Sequence, residues 1–324
     1  MNMDDNTIKP NKFRNAIRSI YVRCSVVGSL LLNNYIFRFF FKKPGYKRKY
    51  SISICGVFKN EAPFLAEWIE YHEMIGVDHF YLYNNNSDDN YLEVLNPYIN
   101  RGLVTLVEWP YDQGQIKAYQ HFYKENRNET QWVSFLDLDE FITPKEDVML
   151  CEWIAKHDRY PILLMYWRMF GTSNVTNHDF NKLVTEQFFI SWKYYDKVGK
   201  CLINTDYDIK EFNTGTLHVP IVRKKILGIP FDIYPINSLG RFVSDNYHFG
   251  DEKKCDKIDI QINHYWTKGW DVYSKKRGKT DGCFKENPKK DLNYFYYHEN
   301  KNVSADFTIF RYLLRLKIKM GIVK

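Results

Sequence analysis

The stretch Trp132-Val133-Ser134-Phe135-Leu136-Asp137-Leu138-Asp139-Glu140-Phe141-Ile142-Thr143-Pro144 decides the fold. Apolar, strand-forming residues run without a break into Asp137-Leu138-Asp139-Glu140. With the two-residue period of an extended chain, Asp137 and Asp139 are expected on one side of a strand. Three carboxylates at the end of a buried strand repel one another, and burying them unpaired is costly, so something cationic is expected beside them. Paired hard oxygen donors suit Mg²⁺ or Mn²⁺, and an ion so held can grip a diphosphate. The plainer alternative is a solvated acidic turn, since short D-x-D strings also arise by chance.

Working outward, residues 50–170 alternate between strand and helix patterns. Tyr50–Phe58 reads as a strand. Lys59-Asn60-Glu61-Ala62-Pro63 opens a helix with the apolar stripe Phe64, Leu65, Trp68, Ile69, Tyr71 and Ile75, closed by Gly76. Strands follow at Asp78–Tyr83, Leu103–Trp109, Trp132–Leu136 and Pro161–Phe170, with helices at Leu92–Ile99, Gln115–Asn126 and Val148–His157. This order implies an α/β fold, a mostly parallel twisted sheet flanked by helices. Ligands of such sheets bind at the carboxyl ends of the strands. Here those ends are Lys59-Asn60-Glu61, Asn84–Asp89, Trp109–Gln115 and Asp137–Glu140, all polar and able to surround one nucleotide. Neither G-x-G-x-x-G nor a Walker loop is present, which leaves a dinucleotide cofactor or an NTPase unsupported. After residue 170 the periodicity degrades into mixed aromatic and polar segments, read as an acceptor-side lobe of the same domain.

A chain of 324 residues can bury a sizeable core. Its net charge of +7 is modest, and the basic residues concentrate at the two ends, unlike a nucleic-acid footprint. The six cysteines include no C-x-x-C pair, which argues against a zinc cluster or a disulfide framework. Residues 20–41 are apolar and aromatic but interrupted by Arg23, Asn33, Asn34 and Arg38, a poor spanning helix. An interfacial segment at an anionic membrane, or a helix packed on the protein's own body, are the two readings. The C-terminus offers peripheral membrane contact or a bland basic terminal helix: Phe307, Phe310, Leu313, Leu314, Leu316 and Ile318 alternate with Arg311, Arg315, Lys317 and Lys319. The expected organisation is therefore an N-terminal basic and aromatic segment over 1–49, a catalytic domain over 50–284 and a basic amphipathic segment over 285–324.

An ordered series of blocks resembles glycosyltransferase family 92 and its bacterial family-2-like relatives. They are Cys55-Gly56-Val57-Phe58-Lys59-Asn60-Glu61 through Ala66-Glu67-Trp68, then Tyr71-His72, Gly76–Phe80, Tyr83–Asp89 and Phe135–Phe141. Further on come Phe170–Ser173, Leu183–Glu186, Lys200, His218-Val219-Pro220 and Asn263–Lys268. The likeness spans about residues 51–280. Two departures stand out: Gln187 where relatives often carry Arg, and an Asn-rich Asn174–Asn181 without an expected Pro. The resemblance implies a GT-A fold, a divalent cation (Mn²⁺ or Mg²⁺), a UDP-sugar donor with galactose foremost, and inverting transfer to a glycan or glycolipid hydroxyl. The Lys, Asn, Ile and Tyr richness fits a bacterial enzyme of surface polysaccharide or lipooligosaccharide assembly, cytoplasmic and peripheral at the inner membrane face.

Roles follow from that reading. Asp139 is the first expected metal ligand, Asp137 reaches the metal or the ribose, and His264 is the third ligand, since imidazole suits Mn²⁺. Glu140 is expected to orient them. Glu61 and Asp88, supported by Asn60 and Asn84, are candidates for the nucleotide; Asn60 could instead cap a helix. Lys59, Lys200 and Lys268 are candidates to neutralise the departing diphosphate. Glu186, with Asp179 behind it, is the candidate base, against a structural ion pair for Glu186. Trp167, Trp192, Trp266 and Trp270 offer a sugar platform or simply core. A two-carboxylate hydrolase is disfavoured because it needs acid and base on opposite faces of a bond. A sugar-binding module without catalysis would not require the acid cluster.

Overall fold

The central strand of the chain is a run with almost no polar interruption, and the first half of the sheet forms around it. The computed structural model describes residues 48–213, 218–226, 228–241, 243, 256–278, 286–287 and 290–323, together with Ile17, Ile20 and Cys24. The chain divides into two compact units, Met1–Gly45 and Tyr46–Lys324, and every element below belongs to the second. Apart from Ile17, Ile20, Cys24, Arg48 and Lys49, the N-terminal segment over 1–49 lies outside the described residues.

β1 (Tyr50–Phe58) is buried without a break from Ile52 to Gly56, as a strand covered on both faces should be. α1 (Ala62–Met74) follows, with Pro63 in its first turn, where a missing N–H is harmless. Gly76, at φ +105°, turns the chain out of the helix and donates its N–H to the Glu73 carbonyl at 3.0 Å. Then come β2 (His79–Asn84), α2 (Tyr91–Asn100), β3 (Val104–Glu108), α3 (Gln115–Glu125) and β4 (Thr130–Phe135). β1 pairs in parallel with β2 and β4, and β2 with β3, so these crossovers form the expected parallel α/β half.

Beyond β4 the sheet becomes mixed. The next elements are β5 (Glu140–Pro144), α4 (Leu150–His157), β6 (Ile162–Met169), α5 (Val184–Gln187), β7 (Ile190–Trp192) and β8 (Gly199–Asn204). They are followed by β9 (Asp208–Ile209), β10 (Val222–Ile226), β11 (Ile229–Ile233), β12 (Ile236–Asn237) and β13 (Ile260–His264). α6 (Trp270–Arg277), α7 (Leu292–Glu299), β14 (Asn302–Ala305) and α8 (Phe310–Lys319) complete the described strands and α-helices, and a short 3-10 turn at Arg127–Glu129 precedes β4. The main sheet runs β3-β2-β1-β4-β8-β6-β13-β5, with β12 beside β6. β8 lies antiparallel between β4 and β6, and β13 is parallel to β6 but antiparallel to β5. This is the expected α/β class, a mostly parallel sheet with helices and a mixed lobe.

One expectation is corrected here. Asp137 and Asp139 do not alternate along a strand. β4 stops at Phe135, and the chain turns through Asp137–Glu140, closed by the Glu140 N–H donating to the Asp137 carbonyl at 3.1 Å. It re-enters the sheet as β5, at the far end of the strand order. An edge strand leaves backbone groups open, and α1 supplies their partners. Trp68 Nε1 donates to the Glu140 carbonyl at 2.8 Å, and Tyr71 Oη donates to the Ile142 carbonyl at 2.9 Å. His72 Nε2 accepts the Ile142 N–H at 3.2 Å, while its Nδ1 pairs with the Trp68 carbonyl at 2.8 Å.

The basic C-terminal helix docks on this same body. Tyr312 and Leu316 are buried, and Tyr312 Oη reaches the carbonyls of Pro144 and Glu146 at 3.2 and 2.8 Å. Its cations meet acids of the domain: Arg315 with Asp147 at 3.2 Å, Lys317 with Glu186 at 2.6 Å, and Lys319 with Glu70 and Glu73. Leu314 and Ile318 stay exposed. No helix among the described residues is long and apolar enough to cross a membrane.

Two outcomes follow. Leu316→Ala should lower unfolding stability in urea by about 2–5 kcal/mol, and Leu314→Ala by less than about 0.5 kcal/mol. His72 is fully buried, and desolvation lowers its pKa to about 3 from an ordinary 6.5. It stays neutral in the fold while the unfolded chain binds a proton, so its contribution is intact above pH 6.5 and falls with acid by about 1.4 kcal/mol per pH unit down towards pH 3. His72→Gln, which can still donate to Trp68 and accept from Ile142, should show a correspondingly flatter loss of stability between pH 6.5 and pH 5 in denaturant titrations.

Candidate active site

The turn after β4, the start of β8, the segment after β13, the residue before α1 and the last turn of α6 bring four carboxylates and three lysines together. β8 starts beside β6 only because residue 199 is glycine: a Cβ there would lie 1.9 Å from the Met165 carbonyl oxygen. The next residue, Lys200, is 1% exposed, with its ammonium 3.0 Å from Asp137 Oδ2 and 3.4 Å from Glu140 Oε2. Glu140, fully buried, also accepts the Asp137 N–H at 3.0 Å and Trp167 Nε1 at 2.8 Å. Gln115, opening α3, donates to Asp137 Oδ1 at 2.7 Å. Burial pushes the Asp137 carboxyl up, but Lys200 more than offsets it and the pKa ends below the usual range. For Glu140 burial dominates despite Lys200, raising it to about 7.

Asp139 faces the other way. β13 pairs with β5 so that His264 lies opposite Glu140, and the Tyr265 N–H donates to the Asp139 carbonyl at 2.8 Å. This places His264 Nε2 3.5 Å from Asp139 Oδ1. Lys276, from the last turn of α6, lies 3.1 Å from Asp139 Oδ2 and 3.4 Å from Glu61 Oε1. Lys268 is 3.1 Å from Glu61 Oε2 and sits over the Phe64 ring at 3.6 Å. Its backbone takes the left-handed conformation, φ +54°, which is uncommon outside glycine and asparagine. Burial would raise the Asp139 carboxyl, but Lys276 and His264 hold it well below the ordinary range. Glu61 is likewise lowered by Lys268 and Lys276 against its burial.

Asp137, Asp139, Glu61, Lys200, Lys268 and His264 thus converge. The donor set of Asp139 and His264, a carboxylate oxygen and an imidazole nitrogen 3.5 Å apart, fits Mn²⁺ better than Mg²⁺ as two of its ligands. The two carboxylate oxygens of Asp137 are taken by Gln115 and Lys200. Among the described residues no group of three His, Cys, Asp or Glu stands ready to hold an ion.

Other expected residues stand elsewhere. Lys59 and Asp88 are exposed at neighbouring strand ends. Asn60 does not cap α1. At φ +54°, it takes the Asp88 N–H on Oδ1 at 2.8 Å and donates its own N–H to Ser87 at 2.9 Å, while Asp89 accepts the Ala62 N–H at the helix start. Asn84 is buried between Ser87 and Glu108, holding the same turn. Glu186 is engaged by Lys317, and Asp179 lies in a surface turn whose backbone is pinned by Gln187. Trp192 and Trp266 are core residues packed with Tyr273 and Phe295, and Trp270 packs against them. Trp167 is the tryptophan beside the acid turn, its ring 4.7 Å from that of His264.

Sequence reasoning missed Lys276 and Gln115. Lys276 belongs to Lys275-Lys276-Arg277, which reads as an ordinary basic helix end; its eight-residue separation from Lys268, across a helix opened by Gly269, was the available signal. Gln115 offered only its place at a strand-to-helix turn.

The family model for glycosyltransferase family 92 matches residues 48–308. Among curated relatives, a glycosyltransferase family 92 protein of Oryza sativa subsp. japonica is 40% identical over 97 residues, covering 30% of this chain and 17% of its own length. One of Ricinus communis is 36% identical over 102 residues, 31% of this chain and 18% of its own. The chain thus spans under a fifth of these relatives' length. Among solved structures, S. aureus TarS is 17% identical with a TM-score of 0.30, covering 37% of this chain and 22% of that one. Glucosyl-3-phosphoglycerate synthase from Mycobacterium tuberculosis is 15% identical, TM-score 0.30, covering 51% and 63%. Superpositions of that size do not bear on ligand or activity.

Removing the Lys200 ammonium would leave Asp137 and the buried Glu140 without their counter-charge. Lys200→Met should cost about 3–5 kcal/mol of unfolding stability in urea, whereas Lys59→Met at the exposed end of β1 should change it by less than about 0.5 kcal/mol.

Proposed function

The chain belongs to glycosyltransferase family 92, and on that premise we propose that it transfers a hexose, galactose foremost, from a UDP-sugar to a hydroxyl of a glycan acceptor, with Mn²⁺ or Mg²⁺. The observation that carries this reading is the pairing of Asp139 with His264 inside a ring of lysines, at the carboxyl end of the parallel strands. Ligands of open α/β sheets bind at that end.

Each residue then has work suited to its place. Asp139 and His264 hold the divalent ion, which supplies charge neutralisation for the diphosphate oxygens. Lys268 and Lys276 add positive charge where the leaving diphosphate develops negative charge, already oriented by Glu61. Lys200 and Glu140 fix Asp137, so that it meets the ribose or the ion in one orientation. Asn60, Asn84 and Asp88 shape the neighbouring turn that borders the nucleotide. Glu186, tied to Lys317, is a structural residue in this reading, and Asp179 organises its own turn.

A donor screen with purified protein tests it. UDP should be released from one UDP-sugar in Mn²⁺ and not in EDTA. Asp139→Ala should lower that rate about 100-fold or more while leaving the far-UV spectrum and cooperative unfolding intact. Equal release in EDTA, or an unimpaired Asp139→Ala enzyme, would overturn the metal assignment.

A further inference from the structure

Lys276 is the cation of this cluster whose contacts leave it room to move. Lys200 is locked between Asp137 and Glu140 at 1% exposure, and Lys268 is fully buried between Glu61 and the Phe64 ring. Lys276 instead extends from the last turn of α6, its side chain 16% exposed, and bridges Glu61 to Asp139 with a single ammonium. Its contact on Asp139 is Oδ2, while Oδ1 faces His264. Four carboxylates, Glu61, Asp137, Asp139 and Glu140, therefore share three lysines.

A bare divalent ion on Asp139 would bring two positive charges up against the Lys276 ammonium, in surroundings where charges are weakly screened. A nucleotide sugar entering with the ion changes this, because its diphosphate carries charge that matches the cation and offers Lys276 a new partner. Resting on the function proposed above, we infer that Lys276 is a resident counter-ion of Asp139 that competes with the divalent cation and passes to the donor's diphosphate when both bind. Metal binding is then linked to nucleotide binding: each ligand favours the other by removing the same lysine from Asp139.

Isothermal titration of Mn²⁺ alone, and of UDP in the presence of Mn²⁺, tests this with wild type, Lys276→Met and Lys276→Gln, each checked for cooperative unfolding. Both variants should bind Mn²⁺ alone at least about tenfold more tightly than wild type, and UDP with Mn²⁺ at least about tenfold more weakly. Opposite movement of the two constants is the signature, since a merely structural role would weaken both. If wild type binds UDP and the variants leave both constants unchanged, or weaken both, the inference falls while the donor reading stands. A wild type that binds no UDP overturns both.

Discussion

A lysine ammonium with almost no exposure, held between two carboxylates, is the constraint on which the site depends. Lys200 can be buried only because Asp137 and Glu140 face it within 3.4 Å, and those carboxylates can lie at the end of a buried strand only because Lys200 is there. Removing any one leaves an uncompensated charge, which is far more costly than never having built the triad. The requirement reaches into the backbone. Residue 199 must be glycine for β8 to approach Met165, and the turn after β4 must carry the Asp137 N–H onto Glu140.

The same turn launches β5 to the far end of the sheet, where it would be an open edge. Its backbone is answered by side chains of α1, so that Trp68, Tyr71 and His72 do for β5 what another strand would otherwise do. α1 is preceded by Glu61, which partners Lys268 and Lys276, and its inner face ends near the edge that α8 covers through Tyr312. Packing and site are thus coupled through one helix: the residue that leads into it belongs to the charge cluster and its middle to the core. Glu67, between them, accepts the N–H groups of Val184 and Thr185 and anchors α5 on the same scaffold.

Much of this was legible in the chain. The alternation of apolar runs with polar strand ends located the parallel half, because buried strands and amphipathic helices differ in hydrophobic period over only a few residues. The acid turn, Lys200, Lys268 and His264 were legible as a set once their ordered blocks were recognised. The strand-period argument for Asp137 and Asp139 failed because the chain turns there, sending one carboxylate to Lys200 and the other to His264. Lys276 stayed hidden since its neighbours Lys275 and Arg277 make a solvated helix end the natural reading. For Glu186 the choice between a base and an ion pair was open in the chain, because its partner Lys317 is 131 positions away. The amphipathic C-terminus showed two faces without showing which surface each meets.

The sequence by itself determined the class of sheet, the end of it where chemistry gathers and the residue types available there, because these rest on local period, turn propensity and side-chain chemistry. Only the tertiary structure decided which charge answers which. Pairing energies depend on distances of a few ångströms between groups separated by as many as 249 residues, as for Lys319 and Glu70, and no local pattern encodes a distance of that kind.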